Sequence, residues 1–226
     1  SYDGSESTES VFGESGSDLP WSFTVPIEML AALEPETREA FEALIGALGA
    51  GVDGPAVAQA SVGDLDEYLS AFRAVQGAEA WRNNGAWLRE HPGAVAPAVA
   101  ERFRVASEVS PETESAARAS VEALRARLLG ATNDTVLMMP TVPGPAPMRT
   151  HRGERVEAVR AATLRMTTLA AIGGMPSISI PLMTVPSNLG PAPVGVRLIS
   201  RPGTDIALVR LARPLARAGA PCPPAA

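Results

Sequence analysis

Side chains that can carry nucleophilic or acid–base chemistry are scarce in this sequence. All 19 basic residues are Arg, there is no Lys, and the only histidines are His91 and His151. The single cysteine, Cys222, stands in a proline-rich tail, where it has no partner for a disulfide or a zinc site. A mechanism that uses a lysine as base, Schiff-base former or phosphate ligand must therefore obtain that lysine from outside this chain.

Three arrangements superficially resemble reactive motifs, and each lacks the context that the chemistry needs. The run GESGS at residues 13–17 looks like a nucleophile loop, but no strand precedes it, and its composition favours a flexible segment. A Ser/His/Asp set built on His91 or His151 has no G-x-S-x-G turn to present the serine. Gly173 and Gly174 precede a strand instead of opening a helix, which argues against a phosphate loop. We assign no catalytic residue, metal ligand or cofactor.

Composition and charge limit the possible partners and locations. With 226 residues and 46% hydrophobic residues, the chain can bury a sizeable core. The net charge of −6 and the scattered arginines give no basic surface for nucleic acid. No apolar run approaches the roughly 18 residues of a membrane span, and no signal segment is recognisable. The sequence predicts a cytoplasmic protein without a nucleic-acid or membrane partner.

The apolar periodicity predicts helices that make up most of the first 130 residues. Helices are expected over residues 35–48, 64–88, 97–105, 111–129 and 155–172, and a last one after Gly203, which Pro214 ends or kinks. Ser110 should cap the helix that begins at residue 111. Trp81 and Trp87 are expected to pack in the core.

Short apolar runs after helices predict three strands, over residues 134–140, 177–181 and 194–199. The fold class is therefore α/β, with helices packed on an incomplete mixed sheet that has open edges. The predicted organisation is a flexible segment over residues 1–18, one domain over residues 19–217, and a flexible tail over residues 218–226.

Several of these segments also resemble, in order and spacing, the C-terminal half of amidase signature enzymes. They are DTVLMMPTVPGPAP at residues 134–147, GGMPSISIPL at 173–182, PVGVRLIS at 193–200 and GTD at 203–205. Residues 76–110 resemble the part of that family between its catalytic loop and its second half. The resemblance covers roughly residues 18–215 and implies a partial amidase-signature-like fold.

In that family a serine attacks the amide carbonyl, a second serine relays the proton, a lysine is the base, and a glycine- and serine-rich loop stabilises the oxyanion. Neither the lysine nor that loop has a match here. The resemblance thus implies the C-terminal portion of a hydrolase that cleaves the C–N bond of a small or aromatic carboxamide. This portion would supply sheet and one wall of the acyl pocket, and it would be inactive alone. The partner is then a small amide substrate of the full-length enzyme, and a homo-oligomer is left open.

The resemblance singles out one substrate-binding candidate, Arg102. Relatives that act on glutamine have an arginine at the corresponding place, where it holds the substrate carboxylate; an exposed helical Arg beside Glu101 is the alternative. The acid that grips the substrate's amino group in those relatives falls at Leu164, which favours a less polar amide. Asp134 and Asp205 are assigned to caps and loops.

Two other functions stay open from the sequence. One is a catalytically inactive, truncated paralogue that acts as a binding or regulatory partner. The other is a subunit of a glutamine-dependent amidotransferase. An upstream reading frame with a Lys-containing, Ser/Gly-rich segment would favour the enzyme, whereas a start codon close to Ser1 would favour the non-enzyme.

Overall fold

The computed structural model describes residue 20 and residues 22–50, 54–187 and 189–218. The predicted flexible segment 1–18 with its GESGS run, residues 219–226 of the predicted tail, and Cys222 lie outside these residues. The described elements are, in chain order, β1 (Ser22–Pro26), α1 (Ile27–Ala31), α2 (Pro35–Gly49), β2 (Ala56–Ala60), α3 (Leu65–Glu90), α4 (Pro97–Ser107), α5 (Pro111–Ala131), β3 (Val136–Pro140), α6 (Glu154–Gly173), β4 (Ser177–Val185), β5 (Ala192–Ile199) and α7 (Asp205–Ala218).

The five strands form one mixed sheet in the order β2-β1-β3-β5-β4. β1 pairs in parallel with β2 and β3, and β5 pairs antiparallel with β3 and β4. Helices pack on both faces of this sheet, and within the described residues its outer strands, β2 and β4, each have a neighbour on one side only. The predicted α/β class, with helices on an incomplete mixed sheet, is confirmed.

The prediction of only three strands is wrong, because β1 and β2 extend the sheet on the side of β3. β2 has the sequence AVAQA and is largely exposed, so neither apolar alternation nor a buried run marks it. β1 is buried at four of its five positions, but the segment is short and leads directly into α1. Pairing between these distant strands, not local preference, makes them β-structure.

Alternate residues of β3 face opposite layers of helices, as a strand buried on both sides requires. Leu137 and Met139 belong to the core on the side of α3, α5 and α6, together with Tyr68, Leu128 and Leu169. Val136 and Met138 belong to the core on the other side, whose helical members include Phe41, Leu208, Ala212 and Leu215 of α2 and α7. All four β3 side chains are fully buried.

The predicted helices form close to their expected limits, and α5 begins at the expected cap. The Ser110 hydroxyl accepts a hydrogen bond from the Thr113 N–H at 3.1 Å, with Pro111 in the first turn. Two prolines lie within elements. Pro214 was predicted to end or kink α7, and it does not end the helix, which continues to Ala218. Pro181 does not end β4. The pairing of this outer strand is irregular between Ile180 and Met183, so the backbone N–H that proline lacks is not required at this position.

The prediction that both tryptophans pack in the core is wrong for Trp87, and Trp81 is only partly buried. Trp87 is 49% exposed and stacks on His91 with ring centroids 4.5 Å apart. The Arg89 guanidinium lies 5.4 Å from the Trp81 ring. α3 contributes to the sheet-side core through its first turns, with Leu65, Tyr68 and Ala71. Its later turns therefore carry aromatic side chains that the sheet does not cover.

The carboxylate of Glu28 joins the start of α1 to the loop between β2 and α3. Its oxygens accept hydrogen bonds from the Ser61 hydroxyl and from the N–H groups of Val62 and Gly63, the latter two at 3.2 Å. Burial opposes ionisation of this group, but the hydrogen bonds outweigh burial and lower the pKa of Glu28 below its ordinary value of 4.5. The ionised carboxylate is thus part of the folded state.

Replacing Glu28 by Gln is expected to lower the free energy of unfolding at pH 7 by about 1–2 kcal/mol, because a side-chain NH2 then faces backbone donors. Since the folded pKa is lowered, the stabilisation is present above pH 4.5 and is lost as the pH falls through the folded value. Urea unfolding at pH 7 and pH 3 should show the two proteins converging at the lower pH. The exposed Glu42→Gln is the control, and a Glu28→Gln deficit that persists unchanged at pH 3 would contradict the assignment.

Candidate functional site

Arg102, the binding residue singled out by the sequence, lies on the exposed surface of α4. Its Nε–H donates to the carbonyl of Ala98, one turn earlier in the same helix, at 3.0 Å. α4 packs mainly against α3, so the helix that carries Arg102 lies outside the layer next to the sheet. This position matches the exposed helical Arg considered as the alternative, and a role for Arg102 in binding substrate stays a prediction.

The two histidines lie on different elements and show no shared hydrogen-bond network in the described residues. His91, at the end of α3, is exposed, and its Nδ1 lies 2.9 Å from the Trp87 carbonyl oxygen. His151 lies in the loop before α6, and its buried Nδ1 has no hydrogen-bond partner among the residues described. The described residues also contain no group of three or more His, Cys, Asp or Glu side chains placed to hold a metal ion.

The structure instead brings four residues together on one face of the sheet, beyond the edge of α6. We call them the sheet-face patch: Thr141, Ser179, Gly195 and Arg197. Ser179 of β4 is the register partner of Arg197 of β5, so their side chains project from the same face. Thr141 directly follows β3, and its N–H donates to the carbonyl of Gly195 at 2.7 Å. Three strands therefore contribute to this patch.

The hydroxyl groups of Thr141 and Ser179 meet over Gly195. Their oxygens are 2.6 Å apart, which is a hydrogen bond in which either group can donate. A Cβ at position 195 would overlap Ser179 Oγ and would lie 3.0 Å from Thr141 Oγ1. Glycine is thus the residue that leaves room for the hydroxyl pair above the backbone of β5.

Arg197 is a half-buried cation in this patch. One guanidinium N–H donates to the carbonyl of Thr167 on α6 at a long 3.5 Å, and the buried Nε–H has no partner within the part of the chain that the structure describes. No described carboxylate forms an ion pair with it. Burial lowers the pKa of Arg197, in keeping with a charge that lacks compensation.

Leu164 lies on α6 one turn before the carbonyl that Arg197 contacts. It is partly buried, and its own carbonyl accepts a hydrogen bond from the Thr168 hydroxyl at 2.6 Å. α6, which carries Leu164, therefore contacts the patch through Arg197, and the preference for a less polar amide stays a prediction.

The side chains of the sheet-face patch can bind a hydrogen-bond acceptor, because they supply hydrogen-bond donors. Its members are two hydroxyls, one guanidinium and one glycine, and none of them is a base or an acid that titrates near neutral pH. Sequence reasoning missed Arg197 because the run PVGVRLI was interpreted only as a strand. The available signal was a charged side chain at an interior position of an otherwise apolar strand.

A second concavity, of about 440 Å³, lies between α3, α5 and α6. Its floor includes Phe72, Val121 and Ile172. The charges on its rim are paired with each other: Arg118 bonds Glu79 at 2.9 Å, and Arg125 lies 3.4 Å from Glu122. Because these charges already have partners, the groove offers fewer free groups to a polar ligand than the sheet-face patch does.

Comparison with known proteins agrees with this architecture. The chain is 32% identical to Amidase 1 of Arabidopsis thaliana over 150 residues, which are 65% of this chain and 34% of that protein. A solved amidase structure superposes on 91% of this chain with a TM-score of 0.78 and 26% identity, and the match covers 47% of that structure. A solved glutamyl-tRNA(Gln) amidotransferase component of Thermotoga maritima matches 88% of this chain, and 42% of its own length, at a TM-score of 0.64 and 21% identity, a likeness of fold. No protein-family model matches the chain.

The mixed sheet with helices on both faces thus matches part of the α/β fold of a solved amidase. The chain is similar to amidases in sequence and in fold, in agreement with the resemblance of its strand and loop motifs to the amidase signature family. It spans about a third of the length of the curated relatives it matches, 34% and 35%. Among the described helices, none combines the length and apolar character needed to cross a lipid bilayer.

Proposed function

We propose that this chain is the part of an amidase that completes the sheet and forms one wall of the acyl pocket, while other residues of the full enzyme carry the reaction. The proposal is carried by the 32% identity to a plant amidase over 65% of the chain, combined with a sequence that contains no Lys. The reaction is cleavage of a carboxamide C–N bond, which gives a carboxylate and ammonia. Leu164 on α6 favours a small or aromatic acyl group over a glutamine-like one.

The chemistry would run through an acyl-enzyme whose serine nucleophile, relay serine and lysine base lie outside these 226 residues. The 226-residue chain contributes geometry: β3 and β5 hold the sheet-face patch, and α6 borders it. Holding a substrate in a reactive orientation is itself a large part of catalysis, so a half without reactive groups can still govern rate and specificity.

The direct test compares the 226-residue chain with the complete reading frame that contains it. Both are assayed for ammonia release from benzamide and propionamide. We expect buffer-level rates for the chain alone and turnover for the complete protein, abolished when the lysine of its Ser/Gly-rich segment is replaced by Met. Turnover by the chain alone would contradict the proposal that the reactive residues lie outside it. A reading frame without any such segment would favour the inactive paralogue that acts as a partner.

A further inference from the structure

The sheet-face patch combines a cation, two hydroxyls and a glycine, with no acidic side chain among its members. We propose that Arg197, Thr141 and Ser179 form an anion subsite that binds a carboxylate group carried by the amide substrate. The inference rests on the proposed function and narrows its substrate class to amides with a carboxylate at a second position, such as monoamides of dicarboxylic acids.

Most N–H donors of the Arg197 guanidinium have no acceptor among the described residues. Of its five N–H bonds, the described residues engage one, at the long distance of 3.5 Å, and the buried Nε–H is left without a partner. A half-buried donor of this kind is costly unless an acceptor arrives. A carboxylate meets the need best, because its two oxygens match the planar fork of an arginine.

The hydroxyl pair adds one more donor on the same face. Thr141 and Ser179 have one O–H each, and their mutual hydrogen bond of 2.6 Å uses only one of the two hydrogens. The other O–H is free to donate to a ligand oxygen. Since Ser179 and Arg197 are register partners, their side chains start roughly 5 Å apart, a span that a ligand carboxylate can bridge.

The place in the fold favours a small ligand as the occupant. Thr141 is the first residue beyond the carboxyl end of β3, and ligands of open α/β sheets bind in the crevice outside the carboxyl ends of strands. Gly195 has no side chain of its own, which leaves room for the hydroxyl pair above the backbone of β5. Leu164 lies on α6 one turn before Thr167, whose carbonyl Arg197 contacts, and it is an apolar, partly buried residue. The matching ligand has a carboxylate joined to a short apolar body.

The first experiment measures binding to the 226-residue chain and needs no turnover. Sodium benzoate is titrated into the 15N-labelled protein and followed by amide NMR, with benzamide as the uncharged analogue and sodium sulfate as the generic anion. We expect saturable benzoate shifts around Thr141, Ser179 and Arg197. Benzamide and sulfate should each bind at least tenfold more weakly, a difference of about 1.4 kcal/mol. No saturable binding of benzoate, or equal binding of sulfate, would overturn the proposal.

Two variants locate the site. Arg197→Met keeps an unbranched apolar stem but removes the charge, and it should weaken benzoate binding at least tenfold. The matched control, Arg102→Met, removes an exposed guanidinium from α4 and should change the affinity by less than twofold. The proposal is wrong if Arg197→Met binds benzoate as the parent does. A loss confined to Arg102→Met would move the carboxylate site to the residue that the sequence singled out.

A third variant keeps the test decisive if Arg197→Met does not fold. Arg197→Lys retains the charge and introduces the only lysine of the chain, so 13C-dimethylation gives one side-chain signal besides that of the N-terminus. Benzoate should shift this signal, whereas a signal that stays fixed while benzoate binds elsewhere contradicts the proposal. Because binding is measured without catalysis, an inactive complete enzyme refutes the proposed function and leaves this subsite in place. Failure of benzoate to bind refutes the subsite alone.

Discussion

Replacing Leu128 by Ala is expected to lower the free energy of unfolding by about 2–5 kcal/mol, the cost of a cavity in a packed core. Leu128 lies on α5 and is fully buried in the cluster between the helices and the sheet, which also contains Tyr68 and Met139. The surrounding side chains come from several elements, so they cannot all collapse into the space that is left. Urea denaturation of the 226-residue chain gives the measurement.

The neighbouring Leu129 provides a matched control, since it has the same side chain on the same helix and is 39% exposed. Leu129→Ala should cost less than about 1 kcal/mol, because a much larger part of its surface contacts water than at the fully buried Leu128. Equal losses at the two positions would mean that α5 does not pack on the sheet as described. A smaller loss at Leu128 than at Leu129 would reverse the assigned face of the helix.

The helical part of this fold is encoded locally, which is why the sequence predicted it well. α5 has a serine cap, a proline in its first turn and an apolar stripe, and these signals lie within the helix itself. β3 was equally accessible, because five consecutive apolar residues after a helix are typical of a strand buried on both faces. Such elements need no knowledge of their partners to be recognised.

The strands that the sequence did not reveal depend on distant partners. β2 consists of alanines, one valine and one glutamine, and it becomes a strand by pairing in parallel with β1, more than 30 residues earlier. Trp87 illustrates the converse error: a large apolar side chain at helical spacing predicts burial, yet α3 extends beyond the surfaces that could cover it. Neither the strand β2 nor the exposure of Trp87 can be predicted from the neighbouring residues in the sequence alone.

The family resemblance predicted the fold, whereas its one binding candidate, Arg102, stays a prediction. The motifs in β3, β4 and β5 fall in strands and turns, so they specify a scaffold that the comparisons confirm. Choosing Arg102 required aligning one residue of a surface helix with relatives, whereas grouping Arg197 with Ser179 requires the register of β4 against β5. The side chains of a binding site converge through register, and the sequence does not state register.

The second large effect is expected at Gly195, where valine should lower the free energy of unfolding by about 1–3 kcal/mol, the range for overpacking. Valine is otherwise favoured in strands, so a loss here must come from the collision of its Cβ with the Thr141 and Ser179 hydroxyls. Both hydroxyls would have to rotate away, which breaks their 2.6 Å hydrogen bond and removes the donor pair from the proposed subsite. Benzoate affinity should fall together with stability, as urea denaturation and NMR titration would measure.

A double-mutant cycle separates this collision from a general intolerance of β5 to substitution. Gly195→Ala should cost less in a Ser179→Ala background than in the parent, because removal of Ser179 Oγ frees the space that the new Cβ needs. Gly46 on α2 is the opposite case: a Cβ there meets no atom within 4 Å, so Gly46→Ala should stabilise the protein by about 0.5–1 kcal/mol through helix propensity. Gly195→Ala could instead lower the free energy of unfolding equally with and without the Ser179 hydroxyl. In that case the glycine would be needed by the strand itself. The hydroxyl pair would then not be what Gly195 accommodates.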